Sequence, residues 1–147
     1  MDRFMAIAVT EARNGIRAGH GGPFGCVIVK DGEVIGRGHN EVVLQNDPTC
    51  HGEIMAIHSA CKNLGTFDLS GCELYTTAEP CPMCLGAIQW ANIRKVYYGC
   101  NISDTDMIGF RDQKFYTEPA DILEELDRKE CLEVFYEYRD IEDKIGY

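Results

Sequence analysis

Two short stretches constrain this chain more than any others: His51-Gly52-Glu53 and Pro80-Cys81-Pro82-Met83-Cys84. One histidine and two cysteines are ligands that Zn²⁺ accepts. Three protein ligands leave a fourth tetrahedral position open for water, which separates a catalytic zinc from a closed structural one. Any fold for this chain must bring the two stretches onto one ion. Cys-x-x-Cys alone is a weak signal, but a preceding His-x-Glu and a proline on each side of Cys81 make it a strong one. The prolines place both cysteines at the start of a helix, where exposed backbone N–H groups favour thiolates. Zinc lowers the pKa of a bound water from about 15.7 toward ~7. Glu53, too close to His51 to be an ordinary surface charge, is placed to take the water proton and pass it on. A structural alternative puts His51, Cys81 and Cys84 in a closed site with Cys50 or Cys100 as fourth ligand, and leaves Glu53 to favour a helix N-terminus.

Around these stretches, helices and strands alternate. Residues 2–18 read as an amphipathic helix capped by Asp2, with Phe4, Ile7, Ala8, Ala12 and Ile16 near one face. Phe24 to Val29 is a buried-strand run, and Asp31-Gly32 turns it into a second strand, Val34 to His39. A loop through Asn40, Asn46, Asp47 and Pro48 leads to Thr49, the expected cap of a helix from about Cys50 to Leu64 that Gly65 closes. Glu73 to Thr77 is a third strand, Cys81 to Ala91 a helix, and Lys95 to Tyr98 a fourth strand. Residues 101–119 are irregular or briefly helical. Ile122 to Leu126 is a fifth strand or an extra helical turn. Asp127-Arg128-Lys129-Glu130 fits a capping box for a last helix through about Ile141. Trp90, Tyr97 and Tyr98 are expected in the core. Together these elements make an α/β layered domain.

The 147 residues suffice for one domain with a real core. No apolar run approaches the ~20 residues of a membrane span, and Met1-Asp2-Arg3-Phe4 lacks the basic start and apolar stretch of a secretory leader. The eight cysteines are therefore expected as reduced thiols in the cytoplasm rather than as a disulfide framework. A net charge of −10, with no basic stripe, argues against gripping a nucleic-acid backbone and for a small neutral substrate.

His-x-Glu followed by Pro-Cys-x-x-Cys is the recognised signature of zinc-dependent base deaminases. The chain also carries Gly21-Gly22-Pro23-Phe24-Gly25, Asn46-Asp47-Pro48-Thr49, Trp90-Ala91, Ile108-Gly109-Phe110-Arg111-Asp112 and a terminal Tyr147. With these segments nearly the whole chain resembles the cytidine-deaminase superfamily, and within it the bacterial guanine deaminases. That resemblance implies a three-layer α/β/α sandwich around a mixed sheet of about five strands. It implies one Zn²⁺ per subunit on His51, Cys81 and Cys84, with Glu53 as the catalytic proton shuttle. By position it makes Asn40 a partner for a polar edge of the base, Phe24 a stacking surface, and Asp112 an aid to proton transfer or base binding. It further implies a homodimer whose tails, about 142–147 and ending on Tyr147, close the partner subunit's site. From the residues alone Asn40 is an ordinary loop residue, Asp112 a solvated carboxylate and Tyr147 a frayed end.

One departure bears on substrate. Guanine deaminases carry His-Ala-Glu, whereas this chain has Gly52, as fungal cytosine deaminases do. Glycine removes a methyl group from a backbone position expected to line the pocket and touch substrate. The expected reaction is guanine and water to xanthine and ammonia, with cytosine or another free base or nucleoside as the alternative. A transfer-RNA adenosine deaminase shares Asp-Pro-Thr and Cys-Pro-Met-Cys but is expected to carry a basic groove and tail; here residues 133–147 are acidic and aromatic. The non-enzymatic alternative is a zinc-stabilised binding module.

Overall fold

The carboxylate of Asp2 accepts from the N–H groups of Phe4 and Met5 at 2.8 and 2.9 Å, capping helix α1, Arg3–Arg17. In this computed structural model, which describes residues 1–117 and 122–147, strands β1 (Gly25–Lys30) and β2 (Glu33–His39) follow. Asp31 and Gly32, both at positive φ, make the tight turn between them. Helices α2 (Val42–Gln45) and α3 (Gly52–Leu64) lead to β3 (Glu73–Ala78), α4 (Pro82–Trp90) and β4 (Lys95–Cys100). Two short helices, α5 (Ile102–Met107) and α6 (Asp112–Thr117), lie within the stretch 101–119 expected to be irregular or briefly helical, of which 118 and 119 lie outside the described residues. Helix α7 runs Arg128–Arg139. The chain divides into two compact units, Met1–Thr117 and Glu118–Tyr147.

The sheet of the first unit has the order β2-β1-β3-β4. Strand β1 pairs antiparallel with β2 and β3, while β3 and β4 run parallel, so the sheet is mixed as expected. Side chains alternate across a strand, and β1 lies at the centre. Cys26 and Ile28 therefore join Ala56, Ala60, Leu74 and Ile88 beneath α3 and α4. Val27 and Val29 join Ala8 and Tyr75 beneath α1. One strand feeding two cores explains its unbroken apolar run, and the result is the three-layer α/β/α arrangement.

Close approach sets the depth of α3. A Cβ on Gly36 would stand 2.6 Å from the Ala60 nitrogen, and one on Gly38 2.6 Å from that of Ala56. Without them the helix lies on β2 at backbone distance, and its first turn reaches the end of the sheet.

Several expectations are corrected. Trp90, the last residue of α4, is 68% exposed; Tyr98 is 50% and Tyr97 38% exposed, on β4, which among the described residues has a neighbouring strand on one side only. Ile16, expected on the buried face of α1, is 47% exposed; in that last turn it is Gly15 that follows Ala8 and Ala12 on the buried face, against His39 of β2. Among the described residues the sheet has four strands, and residues 123–127 take no regular structure. Their apolar positions, 123 and 126, do not alternate as a strand requires. Asp127 precedes α7 as expected, but at φ 49° its side chain makes no capping bond. No helix among the described residues is long and apolar enough to cross a membrane.

Candidate active site

Helices α3 and α4 begin on candidate metal ligands instead of capping side chains. His51 is the N-cap of α3 and Cys81 that of α4, both extended and neither making a side-chain capping bond. Thr49, the expected cap, instead donates its hydroxyl to Asp47 at 2.7 Å. Pro82 supplies the first residue of α4, a position that needs no N–H donor, and one turn brings Cys84 beside Cys81. His51 Nδ1 stands 3.6 Å from Cys81 Sγ and 3.5 Å from Cys84 Sγ. Tetrahedral ligands at zinc–sulfur and zinc–nitrogen bonds of about 2.3 and 2.0–2.1 Å stand roughly 3.6 Å apart, so the three atoms fit one zinc. Cys50, though next in sequence, does not join this group, and neither does Cys100.

Electrostatics point the same way. The Cys84 thiol, and after it His51, hold Cys81 down to about 4. Cys84 is driven far up by the Cys81 thiolate it bonds to, then by burial and by Glu53. Two buried sulfurs and a carboxylate cannot all carry charge without a cation among them, which is the need a divalent metal meets. His51 is raised from its ordinary value, chiefly by its bond to Cys81. Glu53, 5% exposed, has Oε2 3.5 Å from Cys84 Sγ, and burial raises its pKa above the usual carboxylate range. A buried carboxyl whose proton affinity is raised is suited to taking up and passing on a proton.

The metal group opens into a cavity of about 650 Å³, within the roughly 300–1,000 Å³ of small-molecule sites. Phe24, Asn40, His51, Glu53, Cys81 and Asp112 all line it. Cys84, 0% exposed, sits behind. The backbone N–H of Asn40 donates to Phe24 O at 2.8 Å, and its side-chain Oδ1 accepts from Val42 N at 3.1 Å. That fixes the side chain and leaves its amide NH₂ for the cavity. Asp112 opens α6, and burial, then the Cys81 thiolate, raise its carboxyl.

Gly52 differs from expectation. It does not line the cavity; a Cβ there would stand 2.9 Å from the Phe24 carbonyl oxygen. Its missing methyl group faces the start of β1, not substrate. Tyr147 ends the second unit. Residues not singled out from sequence complete the site. Phe110 meets Phe24 edge to face at 4.8 Å and 78°, and Tyr116 Oη donates to Pro80 O, tying α6 to the loop before Cys81. The Gly-Phe-x-Asp segment was the available signal for Phe110; nothing local marks Tyr116.

Comparison with known proteins agrees with this geometry. Residues 1–100 match the family described as the cytidine and deoxycytidylate deaminase zinc-binding region. A guanine deaminase of Bacillus subtilis (strain 168) is 52% identical over 117 residues, covering 80% of this chain and 75% of the relative. A tRNA-specific adenosine deaminase of Aquifex aeolicus (strain VF5) is 45% identical over 95 residues, 65% of this chain and 62% of the relative. An X-ray structure of guanine deaminase from Bacillus subtilis matches at TM-score 0.92 and 44% identity, covering 100% of this chain and 99% of that one.

Proposed function

We propose that this chain, which belongs to the cytidine and deoxycytidylate deaminase family and is a zinc-dependent hydrolytic deaminase, acts on free guanine to give xanthine and ammonia. The observation that carries this choice is the degree of structural likeness: the guanine deaminase structure matches at TM-score 0.92 over the full chain, whereas a structure from a study of tRNA:A34 deaminases matches at 0.67 over 80% of it. The acidic composition, with a net charge of −10, supports a small substrate over a polynucleotide.

His51, Cys81 and Cys84 would hold the zinc, which supplies a Lewis acid and a nucleophilic water near neutral pH. Phe24 and Phe110 offer an apolar surface to a flat ring. The Asn40 amide donates to an acceptor on the base edge and orients the aminated carbon. Glu53 takes one proton from the attacking water and gives it to the adjacent ring nitrogen. It then moves the second, from the new hydroxyl, to the amine, which leaves as ammonia. Asp112, across the cavity, assists proton transfer or holds the base. Gly52 no longer argues for cytosine, because its missing methyl group faces backbone.

The protein is cytoplasmic in this proposal, and a homodimer whose C-terminal tails, with Tyr147, close the partner's site. Truncation before Ile145 then lowers turnover or affinity while the core stays folded; full activity would make the tail a dangling end. The primary test is ammonia release from zinc-loaded protein with guanine, cytosine, adenine and guanosine side by side. Guanine is expected to turn over fastest, and faster turnover of any other base would move the substrate assignment. Transfer-RNA binding at low salt is expected to be undetectable.

A further inference from the structure

A second cluster of metal-binding side chains lies at the far side of the Asn40 wall, at the meeting of the loop after α1 and the end of β2. His20 Nδ1 stands 2.8 Å from His39 Nε2, with the two rings near parallel at 22° and 5.1 Å apart. Glu41 Oε1 is 3.9 Å from the same His39 nitrogen. The three donor atoms all lie within 4.8 Å of one another, and each residue is half-buried. Two further contacts hold the donors in place. Glu11 Oε2 is 3.2 Å from His39 Nδ1, so the proton of a neutral His39 sits on Nδ1 and the Nε2 lone pair faces His20 and Glu41. A carboxylate behind an imidazole is the arrangement that orients metal-ligating histidines. Gln45 Nε2 donates to Glu41 Oε2 at 2.8 Å, leaving Oε1 toward the histidines.

The geometry points to a second divalent metal site, with His20 Nδ1, His39 Nε2 and Glu41 Oε1 as ligands and Glu11 as positioning residue. Two imidazoles and one carboxylate, without sulfur, suit a borderline ion of the zinc or nickel class, with solvent completing the shell. The place gives such an ion a role. The His20 carbonyl already accepts from the N–H groups of Val43 and Leu44 at 3.0 and 3.1 Å. Gly21 and Gly22 on one side, and Asn40, Val42 and Val43 on the other, line the substrate cavity. An ion here clasps two segments of the cavity wall and stiffens the loop that carries Asn40.

The probe is Zn²⁺ alone, titrated into protein already loaded at its thiolate site, with bound metal counted after equilibrium dialysis. A second equivalent per chain is expected. His39→Ala and the milder His20→Gln each weaken it at least tenfold while the first equivalent stays. Glu11→Gln, which removes only the orienting carboxylate, weakens it by about 10-fold or more. Cobalt offers an independent readout: the second ion adds no sulfur-to-metal charge-transfer absorption, because no thiolate binds it. The proposal fails if binding stops at one equivalent. It fails equally if the second equivalent survives His20→Gln and disappears with Cys100→Ser or Cys131→Ser.

Discussion

The two histidine clusters of this protein meet their charge in opposite ways. Around His51 the partners are two sulfurs and the buried Glu53; without a cation the Cys81 thiol is held down to about 4 while Cys84 and Glu53 are pushed up. Around His39 every donor already has a neutral or charged partner: His20, Glu11 and Glu41 surround it, with solvent at hand. The first cluster needs a metal to be comfortable; the second only accommodates one. The difference follows from placement. Two helix starts bury both sulfurs and Glu53, whereas a loop meeting a strand end leaves all three donors half-buried, and affinity should track that contrast.

The largest effect expected is at Glu53, the residue proposed to turn the first cluster from a binding site into a catalyst. Glu53→Gln keeps shape and hydrogen bonding but holds no transferable proton, so kcat/KM falls by about 10²–10⁴-fold or more with one zinc still bound. Metal analysis alongside kinetics separates the cases. Retained zinc with wild-type turnover would leave the protein a binding module. Next is Cys84→Ser, which removes a buried sulfur ligand. Zinc affinity is expected to fall by more than the roughly 10–100-fold typical of lost outer-shell partners, and melting temperature with it. Should zinc stay bound at wild-type affinity, a fourth protein ligand must be closing the site.

Legibility in the sequence divided along the same line. His51, Glu53, Cys81 and Cys84 lie in two local stretches, each set by its own helix start, so their spacing alone announced the chemistry. The strands of the sheet were equally plain, because β1 carries an apolar run and Asp31-Gly32 a turn. What escaped depends on where elements meet. His20 and His39 share no motif and touch only because β2 ends beside the loop after α1. Tyr116 finds the Pro80 carbonyl only once α6 has packed. Tyr97 and Tyr98 looked like core by composition; their exposure follows from β4 lying at the sheet edge, which no local pattern records, while Trp90, expected with them, ends α4 exposed.

Asn40 joins the two clusters, since His39 and Glu41 flank it and its side chain faces the cavity. Asn40→Asp preserves the acceptor toward Val42 and replaces the amide donor with an oxygen. A loss of about tenfold or more in kcat/KM is expected, borne mainly by KM, because a buried acceptor on the base then meets an acceptor. Unchanged KM would mean the base is held elsewhere, with Asp112 the first place to look.

The smallest effect expected is at Gly52, and it decides between two accounts of substrate choice. An alanine Cβ would press the Phe24 carbonyl at 2.9 Å and its carbon at 3.3 Å. That same carbonyl accepts the Asn40 N–H at 2.8 Å. Relief requires a shift of a few tenths of an ångström at the junction of α3 and β1, at a cost of about 1–3 kcal/mol for overpacking. Gly52→Ala should therefore lower the melting temperature by several degrees and raise KM a few-fold, through the strained Phe24–Asn40 wall. The order of preference among guanine, cytosine and adenine should not change, because the added methyl group never enters the cavity. A variant that keeps its stability but exchanges one base for another would mean that residue 52 shapes the pocket after all. The helix would then have to turn its first residue toward substrate instead of toward β1.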